Sequence, residues 1–144
     1  QAEFLQSQLE SKLKDLSVTV KTEPKASRVE AMLASKFEMV LTGWSGEYID
    51  PLTYLGLWQT GATMDFGNWS NSDYDRALED AQGKDALNEK KRLAELGKAD
   101  QIYQKEVPAV TLNYAVNSAL INQKIKGLQI NTSGSFDFTR AVKK

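Results

Sequence analysis

Cysteine and histidine are both missing from this sequence. Without cysteine there can be no disulfide, no thiol nucleophile and no thiolate metal site. Without histidine the chain cannot assemble a Ser-His-Asp triad, and it lacks the commonest zinc ligand and general acid–base group. Most enzyme classes lose their footing here, so no catalytic residue, metal or cofactor is expected. Long apolar runs are absent too: no stretch approaches the roughly 20 residues that a membrane span needs. Basic surplus is also lacking, with 18 Lys and Arg against 19 Asp and Glu and a formal net charge of −1. Nothing is left over to neutralise a phosphate backbone, so nucleic acid is not an expected partner, nor is polybasic docking on anionic lipid. Gln1-Ala2-Glu3-Phe4-Leu5 shows no charged region followed by an apolar one, so no signal peptide is read there. Either the protein is cytosolic or its front end is missing; the order of elements favours the second.

What is present suits a globular α/β chain. With 144 residues, 41% hydrophobic and 26% charged, there is enough material for one ordinary apolar core. Leu5, Leu9, Leu13 and Leu16 form one stripe of an amphipathic helix over residues 4–16. Val18 and Val20 alternate with polar residues as a strand ending near Pro24. Ser27-Arg28-Val29-Glu30 has the pattern of a capping box and predicts a short helix start. Phe37–Thr42 is a nearly continuous apolar run of strand length, as in a strand buried on both faces. Together these three pieces predict a compact right-handed βαβ unit.

Asp50-Pro51 reads as a helix start, and Ser70–Asp73 as the cap of a helix carrying Tyr74, Ala77, Leu78 and Ala81. A longer helix is expected from about Ala86 to Glu106, burying Leu93, Leu96, Ile102 and Tyr103. Gly97 in its middle implies tight packing against a neighbour, since it costs roughly 1 kcal/mol relative to Ala. Beyond Pro108, the alternation of Val110, Leu112, Tyr114 and Val116 predicts a strand. Residues 119–122 and 127–130 are β-prone, Thr132–Ser135 is a polar turn, and Phe136 and Phe138 are expected to pack. The fold class is therefore α/β, a mixed sheet with flanking helices.

The loop after the second expected strand carries the most specific pattern. Gly43-Trp44-Ser45-Gly46-Glu47-Tyr48-Ile49-Asp50-Pro51, followed by Tyr54-Leu55, resembles a G-W-x-x-[DE]-Y-x-D-P-x-x-[FY]-L segment. That segment is typical of the oligopeptide- and dipeptide-binding proteins, the solute-binding receptors (family 5) of peptide ABC importers. Asn68-Trp69-Ser70-Asn71, Tyr74-Asp75, Val107-Pro108-Ala109-Val110-Thr111-Leu112 and Phe136-Asp137-Phe138 resemble further family segments in the same order. The resemblance implies the C-terminal part of a longer protein of the two-lobed periplasmic-binding-protein-like (type II) fold. Residues 1–118 would be an α/β segment of the C-terminal lobe, and 119–144 a return segment toward the other lobe.

The resemblance also implies a role and a site. The protein would be an extracytoplasmic receptor, a cell-surface lipoprotein or a periplasmic protein, handing oligopeptides to the importer's membrane permease. Its partners would be a peptide, that permease and the remainder of the parent protein. Glu47 falls where relatives hold the free ammonium of the peptide with a carboxylate, although several of them place Asp there. Trp44 would wall the pocket beside the peptide backbone, with Gly43, Tyr48 and Trp69 completing the ligand-binding set. Each has a plainer reading: an exposed loop carboxylate for Glu47, a core ring for Trp44, Tyr48 and Trp69. Trp58 reads as helix packing, Asn68 and Asn71 as turn and cap residues, and Asp50 as a helix cap. Two other functional classes stay open, namely another small ligand such as an oligosaccharide on the same scaffold, and a non-catalytic interaction domain. An enzyme built on Glu47 and Asp50 is the weakest reading, because nothing holds that pair facing a common point.

Overall fold

End caps and apolar spacing decide where this chain coils. The computed structural model describes residues 1–116, 118–131 and 134–144. It contains helices α1 (Ala2–Lys12), α2 (Lys25–Leu33), α3 (Leu52–Leu55), α4 (Ser72–Gln82) and α5 (Glu89–Glu106). A single 3-10 turn, Gly56–Trp58, continues α3. Four two-residue strands follow: β1 (Ile125–Lys126), β2 (Gln129–Ile130), β3 (Phe136–Asp137) and β4 (Val142–Lys143). The chain divides into two units, one made of residues 1–43 and 66–68, the other of residues 44–65 and 69–144.

In the first unit the expected βαβ arrangement does not form. Val18 has both of its backbone groups taken by side chains of α1. Its N–H donates to Glu10 Oε1 at 2.8 Å, and its carbonyl accepts from Gln6 Nε2 at 2.6 Å. A backbone satisfied in this way has nothing to offer a ladder at that residue. The Phe37–Thr42 run bends at Glu38–Met39, and Met39 is 68% exposed rather than buried. Arg28 of α2 reaches across to the end of that run, donating to Thr42 Oγ1 at 2.8 Å and to the Leu41 carbonyl at 3.3 Å. The predicted capping box also lies one turn too late. α2 begins at Lys25 behind Pro24, so Ser27 is inside the helix and caps nothing.

The second unit holds the larger core. Tyr74, Ala77, Leu78 and Ala81 recur at helical spacing along α4 and are buried against Leu96 and Ala99 of α5. Leu52, Leu55, Trp58, Trp69, Ile102 and Tyr103 pack around that cluster. Both helices start on an asparagine that accepts backbone N–H bonds. Asn71 receives Asp73 N and Tyr74 N, and Asn88 receives Lys91 N. The α4 cap lies where the sequence predicts it, whereas α5 begins three residues later than expected, because Asn88 supplies its cap. α5 ends at Val107, which takes a left-handed backbone (φ 52°) ahead of Pro108.

Two expectations for α5 fail. Leu93 faces outward, and a Cβ added at Gly97 would meet nothing within 4 Å, so no neighbour packs there. The stretch 110–116 carries no ladder either, with Tyr114 and Val116 almost fully exposed; alternation makes a strand only where a second strand offers its edge. Farther on, β1 pairs antiparallel with β4 and β2 with β3. Residues 119–122 stay outside these ladders. Gly127 needs to be glycine, since a side chain would run into the Arg140 carbonyl and its φ is +78°. Phe136 and Phe138 pack on each other, with ring centroids 6.2 Å apart. The expected turn at Thr132–Ser135 falls in part on Thr132 and Ser133, outside the described residues.

Gly97 yields a direct test. In an open helix interior Gly97→Ala should raise stability by about 0.5–1 kcal/mol, seen as a higher urea midpoint at unchanged slope. A lower midpoint would mean that something does pack on that face.

Candidate functional site

The Gly43–Leu55 motif is a loop folded back onto α3, and three hydrogen bonds from its first half converge on two adjacent residues. Thr53 takes two of them. Its Oγ1 accepts the Glu47 N–H at 3.0 Å, and its carbonyl accepts Trp44 Nε1 at 3.1 Å. Tyr54 takes the third, its hydroxyl accepting the Gly46 N–H at 3.2 Å. The close approach leaves no room at Gly46, where a Cβ would lie 2.8 Å from Thr53 Cγ2 and 2.9 Å from the Tyr54 hydroxyl. Thr53 is buried, with 7% of its surface exposed, so its hydroxyl has little competition from water.

Asp50 anchors the other half of the loop. Its Oδ1 accepts the Leu52 N–H at 2.9 Å, which is the capping role the sequence predicts. The Arg92 guanidinium, from α5, lies 2.9 Å from Oδ1 and 2.8 Å from Oδ2. Sequence reasoning misses Arg92 altogether, since no local pattern marks a partner 42 residues away. The hydrogen bond from Arg92 holds the Asp50 carboxyl below the usual carboxylate range. Behind α3, the buried Tyr74 donates its hydroxyl to the Leu55 carbonyl at 2.5 Å. Burial pushes that phenol's pKa well up, so it stays a neutral donor.

The five expected site residues fall into distinct settings. Gly43 closes the first stretch of the first unit, and no atom lies within 4 Å of where a Cβ would sit. Trp44 is tethered through its indole N–H and keeps 40% of its surface exposed. Glu47 is exposed and fixed through its backbone; among the described residues its carboxylate makes no hydrogen bond or ion pair. Tyr48 is 55% exposed. Trp69 is placed differently, half-buried on the α4–α5 core. Its ring meets Tyr74 edge-on with centroids 5.0 Å apart, and its Nε1 donates to Glu106 Oε2 at 3.1 Å. Trp44 and Glu47 are thus both tied to Thr53, while among the described residues no hydrogen bond or ring contact joins the Tyr48 side chain or Trp69 to them. Trp58 packs on Tyr103, with ring centroids 5.3 Å apart, as a helix-packing residue. Asn71 caps α4 and also donates to Glu106 Oε1 at 2.7 Å, while Asn68 donates to Ser35 Oγ at 2.8 Å.

The arrangement can present a charge to a ligand. The unpaired Glu47 carboxylate stands on a backbone fixed by its own amide bond to Thr53, whatever its rotamer, and the exposed Trp44 ring is tethered to the same residue. Two open grooves of the second unit lie elsewhere. One of about 460 Å³ runs between α4 and α5, and one of about 510 Å³ is lined by Leu120, Ile121, Phe136 and Phe138 among others.

No family model matches the chain. Individual proteins do. A dipeptide-binding protein of Lactococcus lactis subsp. cremoris is 33% identical over 134 residues, which is 92% of this chain and 24% of that protein. The substrate-binding domain of an oligopeptide ABC transporter from Bacillus anthracis superposes with a TM-score of 0.88 at 27% identity. That match covers 98% of this chain and 28% of the other.

The chain is homologous to a portion of the dipeptide- and oligopeptide-binding proteins.

Listeria monocytogenes OppA bound to peptide agrees, with a TM-score of 0.78 at 26% identity over 99% of this chain and 26% of that one. The chain spans about a quarter of the length of these relatives. Its fold is that of the corresponding part of these binding proteins, the periplasmic-binding-protein-like α/β class. The relatives are named as binding proteins or transporter components and not as enzymes. Among the described residues no helix is long and apolar enough to cross a membrane.

The Asp50–Arg92 pair gives a pH signature. A carboxyl whose folded pKa is depressed adds stability above its unfolded value of about 3.9. That contribution is lost as the pH falls through the lower folded value. Arg92→Met should therefore cost up to about 1 kcal/mol near pH 6, the scale for a partly exposed pair. The gap to the unaltered protein should narrow as the pH drops below 4. Urea midpoints of the two proteins between pH 2.5 and 7 measure it, and a gap that does not change with pH would exclude the charge pair as its source.

Proposed function

We propose that this chain is part of an extracytoplasmic peptide receptor that delivers oligopeptides to an ABC importer, and that it carries part of the ligand site. The observation that supports this most is the free Glu47 carboxylate, backbone-held on the same residue, Thr53, that tethers the exposed Trp44 ring, in a chain homologous to peptide-binding proteins. A peptide's terminal ammonium is costly to desolvate unless paired and hydrogen-bonded, and a fixed carboxylate supplies both. Glu47 takes that role. Trp44 flanks the peptide backbone, Gly43 and Tyr48 complete the motif side of the site, and Trp69 contributes from its place on the helical core. Binding through main-chain groups does not depend on side-chain identity, which suits a receptor of broad peptide range.

In this reading residues 1–118 belong to the C-terminal lobe and 119–144 return toward the other lobe. The remainder of the parent protein supplies the facing half of the site, and the importer's permease receives the loaded receptor. The protein works outside the cytoplasm, as a surface lipoprotein or in a periplasm, and catalyses no reaction.

Calorimetric titration of the full-length protein with a mixed tripeptide preparation, free and N-acetylated, tests the assignment. The free peptides should bind at least tenfold more tightly, a difference of about 1.4 kcal/mol, and Glu47→Gln should remove most of that preference. Equal binding of both forms would take the ammonium-reading role from Glu47. No binding of either would point to another ligand class, oligosaccharides first.

A further inference from the structure

The structure assigns to Thr53 the part of a positioning residue that sets both proposed ligand contacts, Glu47 and Trp44, from a single buried point. This inference rests on the ligand-binding role proposed for those two side chains.

Thr53 lies in the first turn of α3, yet it is among the few buried polar residues of the described chain. Its two polar oxygens go to different clients. The hydroxyl accepts the Glu47 amide and the carbonyl accepts the Trp44 indole, at 3.0 and 3.1 Å. The backbone that bears the Glu47 carboxylate and the Trp44 ring are therefore indexed to the same residue rather than to each other.

The neighbouring contacts keep that residue still. Tyr54 fastens Gly46, Asp50 fastens Leu52 and is itself gripped by Arg92, and Tyr74 fastens Leu55. Thr53 thus sits in a four-residue helix bound at both sides of it. The missing side chain at Gly46 lets the loop close to hydrogen-bonding distance. Of these contacts, the Thr53 hydroxyl alone acts directly on the backbone of Glu47.

The chemistry makes the hydroxyl separable from the packing. Valine nearly matches threonine in shape and keeps the backbone carbonyl for Trp44, but it leaves the Glu47 N–H without its acceptor. Serine restores that acceptor with less bulk. A role in bulk packing would rank the three by volume, with Val close to Thr and Ser worse. A positioning role ranks them by the presence of the oxygen.

The experiment measures the ratio of affinities for free and N-acetylated tripeptides in the full-length protein and in its Thr53→Val, Thr53→Ser and Glu47→Gln variants. Thr53→Val should lower the ratio at least fivefold while leaving affinity for the acetylated peptides within twofold, and Thr53→Ser should keep most of the ratio. If Thr53→Val keeps the ratio while Glu47→Gln loses it, Thr53 has no positioning role although Glu47 keeps its own. If Glu47→Gln also keeps the ratio, or the unaltered protein shows none, the ligand-binding reading falls and this inference with it. Amide hydrogen exchange of the unaltered, ligand-free protein supplies a second arm that does not depend on a variant folding. The Glu47 amide should exchange at least tenfold more slowly than the flanking exposed amide of Tyr48, and equal rates would overturn the assignment.

Discussion

The phenol of Tyr74 carries the link between the core and the proposed binding loop. Its ring is wholly buried where α4 meets α5, and its hydroxyl ends on the carbonyl of Leu55, the last residue of α3. α3 has only four residues, far too few to be stable alone. It exists because Leu52 and Leu55 rest on the helical core and because a buried donor must find an acceptor. Removing the hydroxyl would strand a carbonyl at the base of the segment that holds Thr53.

Charge then fixes the other side of the same segment. Arg92 projects from α5 onto Asp50, so the longest helix grips the loop at its turn. Glu106, at the far end of α5, accepts from both Trp69 and Asn71 and ties the helix end to the start of α4. Through its two ends, one helix thus serves both the loop that bears Glu47 and the ring of Trp69. This is how the exposed side chains of the proposed site can rest on packed helices without being enclosed.

Much of this was legible in the sequence where the cause is local. The α4 cap, its buried stripe, the packing of Trp58 and the cap at Asp50 all follow from spacing within one or two turns. The G-W-S-G-E-Y motif pointed to the family for a like reason, as a continuous string. The misses are non-local. Val110–Val116 alternates as a strand should, yet no neighbour among the described residues offers it a ladder, and Val18 has its backbone hydrogen bonds with side chains of α1 instead. Arg92 and Thr53 carry no signature of their own: an arginine on a helix and a threonine in a turn are ordinary until the fold places Asp50 and Glu47 beside them.

The bond to Glu47 is made through its amide, and amides are common to every residue but proline. The frame that holds this position is therefore indifferent to the side chain it carries. Evolution can shorten, lengthen or neutralise the group at position 47 without disturbing the fold beneath it, so long as Gly46 stays bare and Thr53 keeps its oxygen. An aspartate at this place would need no rebuilding of the loop, only a methylene less. The architecture of the loop and the group it displays are thus set at separate positions, so a change at position 47 would alter the proposed site without rebuilding its frame.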